Sequence, residues 1–265
     1  MSQDSNLEAD AARIRIVLVG TQHPGNIGSA ARAMKTMGLS RLVLVAPERY
    51  PHAEAEALAA GADDVLAQAQ VTDSLAAALS DCRLVLGCTA RDRRIALRQW
   101  TPREAAAQVA GVAAQAGEVA LLFGRERTGL DNDELQLCHA AVHIPANPGY
   151  SSLNLAAAVQ VLAYELRLAL IGQAEPVPHN REDPPASHAE LEGLFAQLAE
   201  TLDQIDFHKG RAPESAMRKL RRLFLRAELD PREVRLLRGI LADAQRMARL
   251  AGEAQPPLSH PDGFR

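Results

Sequence analysis

Ile14-Arg-Ile-Val-Leu-Val-Gly-Thr-Gln-His-Pro-Gly-Asn-Ile-Gly-Ser-Ala-Ala-Arg-Ala-Met-Lys-Thr-Met37 decides the fold. Ile14–Val19 is an apolar, largely β-branched run broken only by Arg15. A short loop with glycines at 20, 25 and 28 follows, and Ile27–Met37 then continues at helical spacing. An apolar strand that turns directly into an amphipathic helix is the repeating unit of a parallel sheet covered on both faces. The same unit recurs downstream. Leu42–Val45, Leu84–Leu86, Val119–Phe123 and Ala141–Ile144 are the further apolar runs, and Leu75–Leu79, Arg103–Ala116 and Leu153–Ile171 are the further helical stretches. Thr101-Pro102 reads as a helix cap followed by proline at the first helical position. Asp131 with Glu134 reads as a capping box. The expected fold is α/β, a parallel sheet flanked by helices.

The pattern changes after Ile171. Gln173–Ala189 contains four prolines and no apolar periodicity, the composition of a linker. Leu191–Ile205, Glu214–Ala227 and Arg232–Leu250 then read as three amphipathic helices, the last two announced by Pro213 and Pro231. The organisation expected is a flexible N-terminus (1–12), an α/β domain (13–172), a Pro-rich linker (173–189), a basic all-helical C-terminal domain (190–254) and a loose tail (255–265).

Composition narrows the function. Of the 265 residues, 47% are apolar and 23% charged, which excludes collagen-like, low-complexity and wholly disordered chains. Aromatics are only 3%, too few for a reader of single strands built on rows of stacked rings. Three cysteines without a CxxC pair support neither a disulfide framework nor a cysteine zinc site, so no metal is expected. The acidic start lacks a signal-peptide charge pattern, and no apolar stretch reaches membrane-spanning length, so a cytoplasmic protein is expected. The net charge of −4 hides a split. Asp206–Leu250 holds 12 Lys/Arg against 6 Asp/Glu, a net +6, which leaves −10 on the rest. Arg218, Lys219, Arg221, Arg222 and Arg226 crowd the second tail helix, either as a solvated face or as a phosphate-binding patch.

In open parallel sheets ligands gather at the carboxyl ends of strands. Three strand-end loops here carry unusual chemistry. The first, Gly20–Arg32, has glycines that permit tight turning, Asn26 or Ser29 as a cap, and an anion-friendly helix start; Arg32, taken alone, reads equally well as a surface ion-pair partner. The second, Phe123-Gly-Arg-Glu-Arg-Thr-Gly-Leu130, sets Glu126 between two arginines and two glycines, as either a ligand loop or a charged turn. The third, Pro145–Leu155, is stiffened by two prolines before Ser151, Ser152 and Asn154, any of which can cap the helix that follows. A dinucleotide site is poorly supported, because GxGxxG is missing after the first strand, although Glu48 could mimic the acid expected after the second.

In order, Asn26-Ile-Gly-Ser-Ala-Ala-Arg32, Phe123–Leu130 and the stretch from Ile144 through Tyr150-Ser-Ser-Leu-Asn-Leu155 resemble the three motifs of the SPOUT class of RNA methyltransferases, in its 2′-O-ribose branch. The likeness spans Ile14–Ile171. The tail string Lys219-Leu-Arg-Arg-Leu-Phe-Leu-Arg226 and the second and third loops resemble the members that act on cytidine or uridine 32 of the tRNA anticodon loop. The resemblance implies a C-terminal trefoil knot, a feature otherwise essentially absent from proteins. It also implies a homodimer, tRNA as partner and S-adenosylmethionine as cofactor. The cofactor would lie against Cys88, Thr89, Ala90, Gly124, Ile144, Ser151, Ser152 and Leu153. Arg32 takes the central catalytic role, Asn26 positions Arg32 or the substrate, Glu126 holds the loop and its neighbouring arginines, and Ser152 and Asn154 organise the ends of the site. The alternatives are methylation of another tRNA or rRNA nucleotide, and a non-catalytic RNA-binding module.

Overall fold

The apolar runs pair with one another in parallel register. Ile14–Leu18 lies against Val119–Phe123 on one side, and Arg15–Val19 against Arg41–Val45 on the other. The computed structural model describes residues 3–90, 97–172, 184–209 and 212–253. It divides into two compact units, Met1–Ala189 and Glu190–Arg265. The first contains, in order, α1 (Gln3–Ala11), β1 (Ile14–Val19), α2 (Pro24–Thr36), β2 (Arg41–Val45), α3 (Ala53–Ala59), α4 (Asp63–Ala67), β3 (Gln70–Thr72), α5 (Leu75–Leu79), β4 (Cys82–Cys88), β5 (Arg98–Trp100), α6 (Pro102–Ala114), β6 (Glu118–Phe123), α7 (Asn132–Gln136), β7 (Ala140–Val142) and α8 (Leu155–Leu170). All strand pairs are parallel, in the order β3-β2-β1-β6-β4-β7-β5.

Alternation along β1 explains why the strand is apolar on both faces. Ile14, Ile16 and Leu18 enter the core built with α2, α6 and α8. Val17 and Val19 enter the opposite core with Leu79 of α5 and Leu135 of α7. Arg15 lies buried at the strand's start. It is held by Asp81 (2.8 and 2.7 Å), Glu118 (2.8 Å) and the Ala78 carbonyl (2.8 Å), and Arg41 also reaches Glu118. The two capping boxes read from sequence form, at Thr101–Glu104 and Asp131–Glu134.

Several elements were not anticipated. β3 and β5 are short edge strands with polar residues, so they carry no apolar run to read. α1 occupies a segment expected to be flexible; its hold is Ala11, buried in the core, with Leu7 half-buried one turn earlier, too thin a pattern to register as periodicity. α2 starts at Pro24 with His23 as an N-cap that makes no side-chain bond, so neither Asn26 nor Ser29 caps it.

Most of the expected linker, and the tail at 255–265, lie outside the described residues. At 184–189 the chain is pinned to the first unit: Arg83 Nη1 donates to the Pro185 carbonyl (2.7 Å), Ala189 N to the Ser80 carbonyl (3.0 Å), and Ala186 is fully buried. The second unit contains α9 (His188–Gln204) from Glu190 onward, α10 (Pro213–Ala227) and α11 (Pro231–Glu253). Leu194, Phe195, Leu198, Leu225 and Val234 are buried in it. No helix among the described residues is long and apolar enough to cross a membrane. No cluster of three or more His, Cys, Asp or Glu side chains among them is arranged to hold a metal.

Candidate active site

The strand order brings the site together. β1, β6, β4 and β7 are consecutive neighbours, so the loops that follow them leave the sheet side by side along one edge. A cleft opens there, lined by Cys88, Thr89 and Ala90 after β4, Phe123–Gly129 after β6, and Ile144, Ser152, Leu153, Leu155 and Ala158 after β7. Of the residues assigned to the cofactor, Ser151 alone is not in the lining. Burial pushes the Cys88 thiol up to about 12, so it is a neutral wall residue rather than a nucleophile.

A chain of hydrogen bonds ties the three strand-end loops together. Glu126 accepts from the backbone amides of Gln22 (3.0 Å) and His23 (3.1 Å) and from Asn26 Nδ2 (2.9 Å). Asn26 Oδ1 in turn accepts from Asn154 Nδ2 (2.9 Å). Asn154 Oδ1 caps α8 through the Ala156 and Ala157 amides (2.9 and 3.4 Å). Each asparagine therefore uses both ends of its amide. Burial raises the Glu126 carboxyl, but the bonds from Asn26, Gln22, its own backbone and His23 together outweigh burial and hold it below the usual range. A carboxylate at the start of α2 also complements the helix dipole.

The expected grip of Glu126 on its neighbouring arginines is not present for Arg125. That guanidinium goes to Glu134 instead (2.9 and 3.1 Å), because Glu126 is turned toward the first loop. Arg32 lies on α2 more than two turns past Pro24, with its side chain exposed. It makes no hydrogen bond or ion pair among the described residues and does not line the cleft. Gly25 and Gly28 are packing glycines within α2, not loop glycines. A Cβ on Gly28 would lie 2.0 Å from the Ala55 carbonyl oxygen of α3. The backbone amides of Gln22 and His23, and the Arg125–Glu134 pair, were missed. Glu134 carried a signal, but its capping role alone accounted for it.

In the second unit the basic cluster separates. Arg218, Lys219, Arg222 and Arg226 are exposed. Arg221 is not part of that free surface: its guanidinium stacks over Phe195 (4.6 Å) and pairs with Glu192 on α9 through two contacts, Nη1 to Oε2 at 3.1 Å and Nη2 to Oε1.

A parallel sheet with a cleft at its carboxyl edge, rimmed by a polar chain across three loops, defines an α/β protein of the kind that holds its ligand at the strand ends. Residues 13–164 match the SpoU rRNA Methylase family, so the chain belongs to the SpoU family of methyltransferases; residues 189–253 match the C-terminal domain of the tRNA methyltransferase TrmJ. The chain is 50% identical over 245 residues to the tRNA (cytidine/uridine/adenosine-2′-O-)-methyltransferase TrmJ of Pseudomonas aeruginosa, covering 89% of this chain and 95% of that protein. It is 51% identical over 234 residues to the tRNA (cytidine/uridine-2′-O-)-methyltransferase TrmJ of Pectobacterium atrosepticum, covering 88% and 97%. The crystal structure of TrmJ from Zymomonas mobilis superposes with a TM-score of 0.75 at 38% identity, covering 86% of this chain and 97% of that one.

Proposed function

We propose that this enzyme transfers a methyl group from S-adenosylmethionine to the ribose 2′-hydroxyl of cytidine or uridine 32 in the anticodon loop of tRNA. The observation that carries the reading is the Glu126–Asn26–Asn154 chain, which joins the three loops beside the cleft. The named activities of the TrmJ relatives, similar over nearly their whole length, support tRNA over rRNA as substrate. The cleft lining suits the cofactor: apolar Phe123, Ile144, Leu153 and Leu155 stand beside polar Thr89, Thr128 and Ser152. Bound there, S-adenosylmethionine supplies an electrophilic methyl on a sulfonium.

The chain's own residues then act mainly by alignment, which supplies a large part of such an acceleration. Glu126 and Asn26 fix the start of α2, and with it the helix that carries Arg32. A guanidinium is protonated at neutral pH, so its fork is suited to clamp an RNA phosphate and orient the ribose. Ser152 lies on the cleft wall, and Asn154 links the cofactor side to the substrate side. The segment between β7 and α8 is threaded as a trefoil knot in this reading; β7 inserted between two earlier strands, β4 and β5, is consistent with that.

The protein acts as a cytoplasmic homodimer. Tyr164 and Ile171, 50% and 41% exposed along one side of the last sheet-domain helix, favour a partner there. Arg218, Lys219, Arg222 and Arg226 give tRNA a phosphate-binding face. Mass-spectrometric mapping of ribose methylation in tRNA, after incubation with the enzyme and S-adenosylmethionine, tests the reading. A methyl on ribose 32 is expected. A methyl on another nucleotide overturns the position, and no transfer overturns the activity. Arg32→Ala is expected to abolish transfer while S-adenosylmethionine still binds.

A further inference from the structure

Arg125 follows Gly124 where β6 ends, and it is fixed in three ways. Its carbonyl accepts from Gly129 N (2.7 Å), closing residues 125–129 into a tight loop. Gly124 permits that closure, since a Cβ there would lie 2.1 Å from Gly129 C and Leu130 N. Its Nη1 donates to both oxygens of Glu134. Glu134 is itself held, because its carboxylate also accepts from Asp131 N (2.7 Å) in the capping box of α7. Finally, the Arg125 stem lies across Gly20, where a Cβ would sit 2.7 Å from Nε and 3.0 Å from Cγ. Gly20 has a φ of +59°, so a side chain there is disfavoured twice over. The first loop is thus gripped at both ends by consecutive residues of the second: Arg125 covers Gly20, and Glu126 holds Gln22, His23 and Asn26.

We infer that Arg125, braced by Glu134, is a positioning residue that sets where the first loop lies, and hence where Asn26 and Arg32 stand relative to the cleft. This rests on the function proposed above. The Arg125–Glu134 pair is neutral as a unit and adds little to phosphate attraction. What it contributes is geometry, to which transfer reactions respond steeply.

The test compares Arg125→Met, which keeps the stem, with Arg125→Lys, Glu134→Gln and the Arg125→Met/Glu134→Gln double variant, all in the full chain. Amide hydrogen exchange over Gly20–Asn26, S-adenosylmethionine affinity, thermal unfolding and steady-state kinetics on tRNA are measured. Arg125→Met is expected to speed exchange at Gln22 and His23 and to lower kcat by about 10- to 100-fold. KM for tRNA and affinity for S-adenosylmethionine stay within about threefold, since the Arg125 guanidinium is committed to Glu134 and the variant keeps the apolar stem in the cleft lining. Glu134→Gln has the same, smaller effect, and the double variant is no worse than Arg125→Met, because the pair acts as one unit. Arg125→Lys recovers most of kcat, since a single cationic donor makes the Glu134 contact.

Unchanged exchange over Gly20–Asn26 in Arg125→Met overturns the inference. So does a raised KM for tRNA at unchanged kcat, which would make Arg125 an RNA ligand. Stability, cofactor affinity and kcat falling in step would make it only a support of the fold. Exchange needs no substrate, so a wild-type protein that fails to methylate tRNA sinks the proposed activity while the positioning role is still decided.

Discussion

Replacing Glu126 with glutamine removes one charge and almost no volume, which makes it the sharpest probe of the site. The carboxylate accepts three hydrogen bonds, two from backbone amides and one from Asn26. Glutamine keeps one acceptor oxygen, which can still take His23 N and Asn26 Nδ2, and turns its NH2 group toward Gln22 N, so that bond becomes a donor–donor contact and the other two lose their charged acceptor. Bonds to a charged acceptor are worth about 1.5–3 kcal/mol each, and partial exposure places the total loss at about 2–3 kcal/mol. For a unit of this size that corresponds to a Tm lower by roughly 4–12 °C. Methyl transfer should fall about 100-fold, because α2 and Arg32 lose their anchor. The pH dependence carries a sign. The Glu126 carboxyl is held below its usual value, so its stabilisation is complete above the ordinary carboxylate pKa and disappears as pH falls through the folded value. The Tm gap between wild type and Glu126→Gln should therefore be full at neutral pH and close in acid. Calorimetric unfolding from pH 7 down to pH 3, with single-turnover methylation at pH 7, measures both effects. A variant that unfolds with wild-type Tm and keeps wild-type turnover would refute the anchoring role.

Gly28→Ala should destabilise by about 1–3 kcal/mol despite alanine's better helix propensity, because the new methyl meets the Ala55 carbonyl rather than a side chain that can move; urea midpoints read this directly. Arg15→Met leaves Asp81 and Glu118 without their buried partner and should cost about 3 kcal/mol. Arg15 holds the Asp81 carboxyl low, so that cost should shrink as acid protonates Asp81, which urea unfolding at pH 7 and pH 3 would follow. Arg222→Gln and Arg226→Gln should leave unfolding unchanged and each reduce the salt slope of tRNA binding by about one, whereas Arg221→Met should lower stability more than it weakens tRNA, as titrations at several salt concentrations beside calorimetry would reveal.

The sheet was legible because its five central strands are apolar on both faces, and β1, β2, β6 and β7 are each followed by a helix. The edge strands Gln70–Thr72 and Arg98–Trp100 were not, since an edge needs no apolar run and Val71 is itself exposed. The segment between Ala46 and Asp73 was left unassigned, although α3, α4 and β3 lie in it; α3 packs through Ala55 and Ala59 with its backbone close to Gly28, and α4 buries only Val65 and Leu66, too few apolar positions to show a period. The three loops were legible as sites, but the bonds between them were not. Asn26 could be read as a cap, and Asn154 as one of three capping candidates; only Asn154 caps, and both spend an amide group on each other. Spacing reports which residues share a local element. It does not report which two of three loops share a hydrogen bond 128 residues apart in sequence.

Arginine separates support from function in this protein more clearly than any other residue type. Arg15, Arg125 and Arg221 each end on a carboxylate of a neighbouring element, and in the first two the partner is tied further into a network or a cap. Such arginines resist motion, and their charge is already answered locally. Arg32 ends on nothing among the described residues, although Asn26, six positions earlier on the same helix, is bonded on both sides. An exposed guanidinium on a helix whose start is held this firmly leaves its donors unspent within the described residues, which is what the proposed phosphate clamp requires. The sequence showed arginines in all four positions alike; only their partners distinguish the three that are paired from Arg32, to which the proposed function gives the catalytic role.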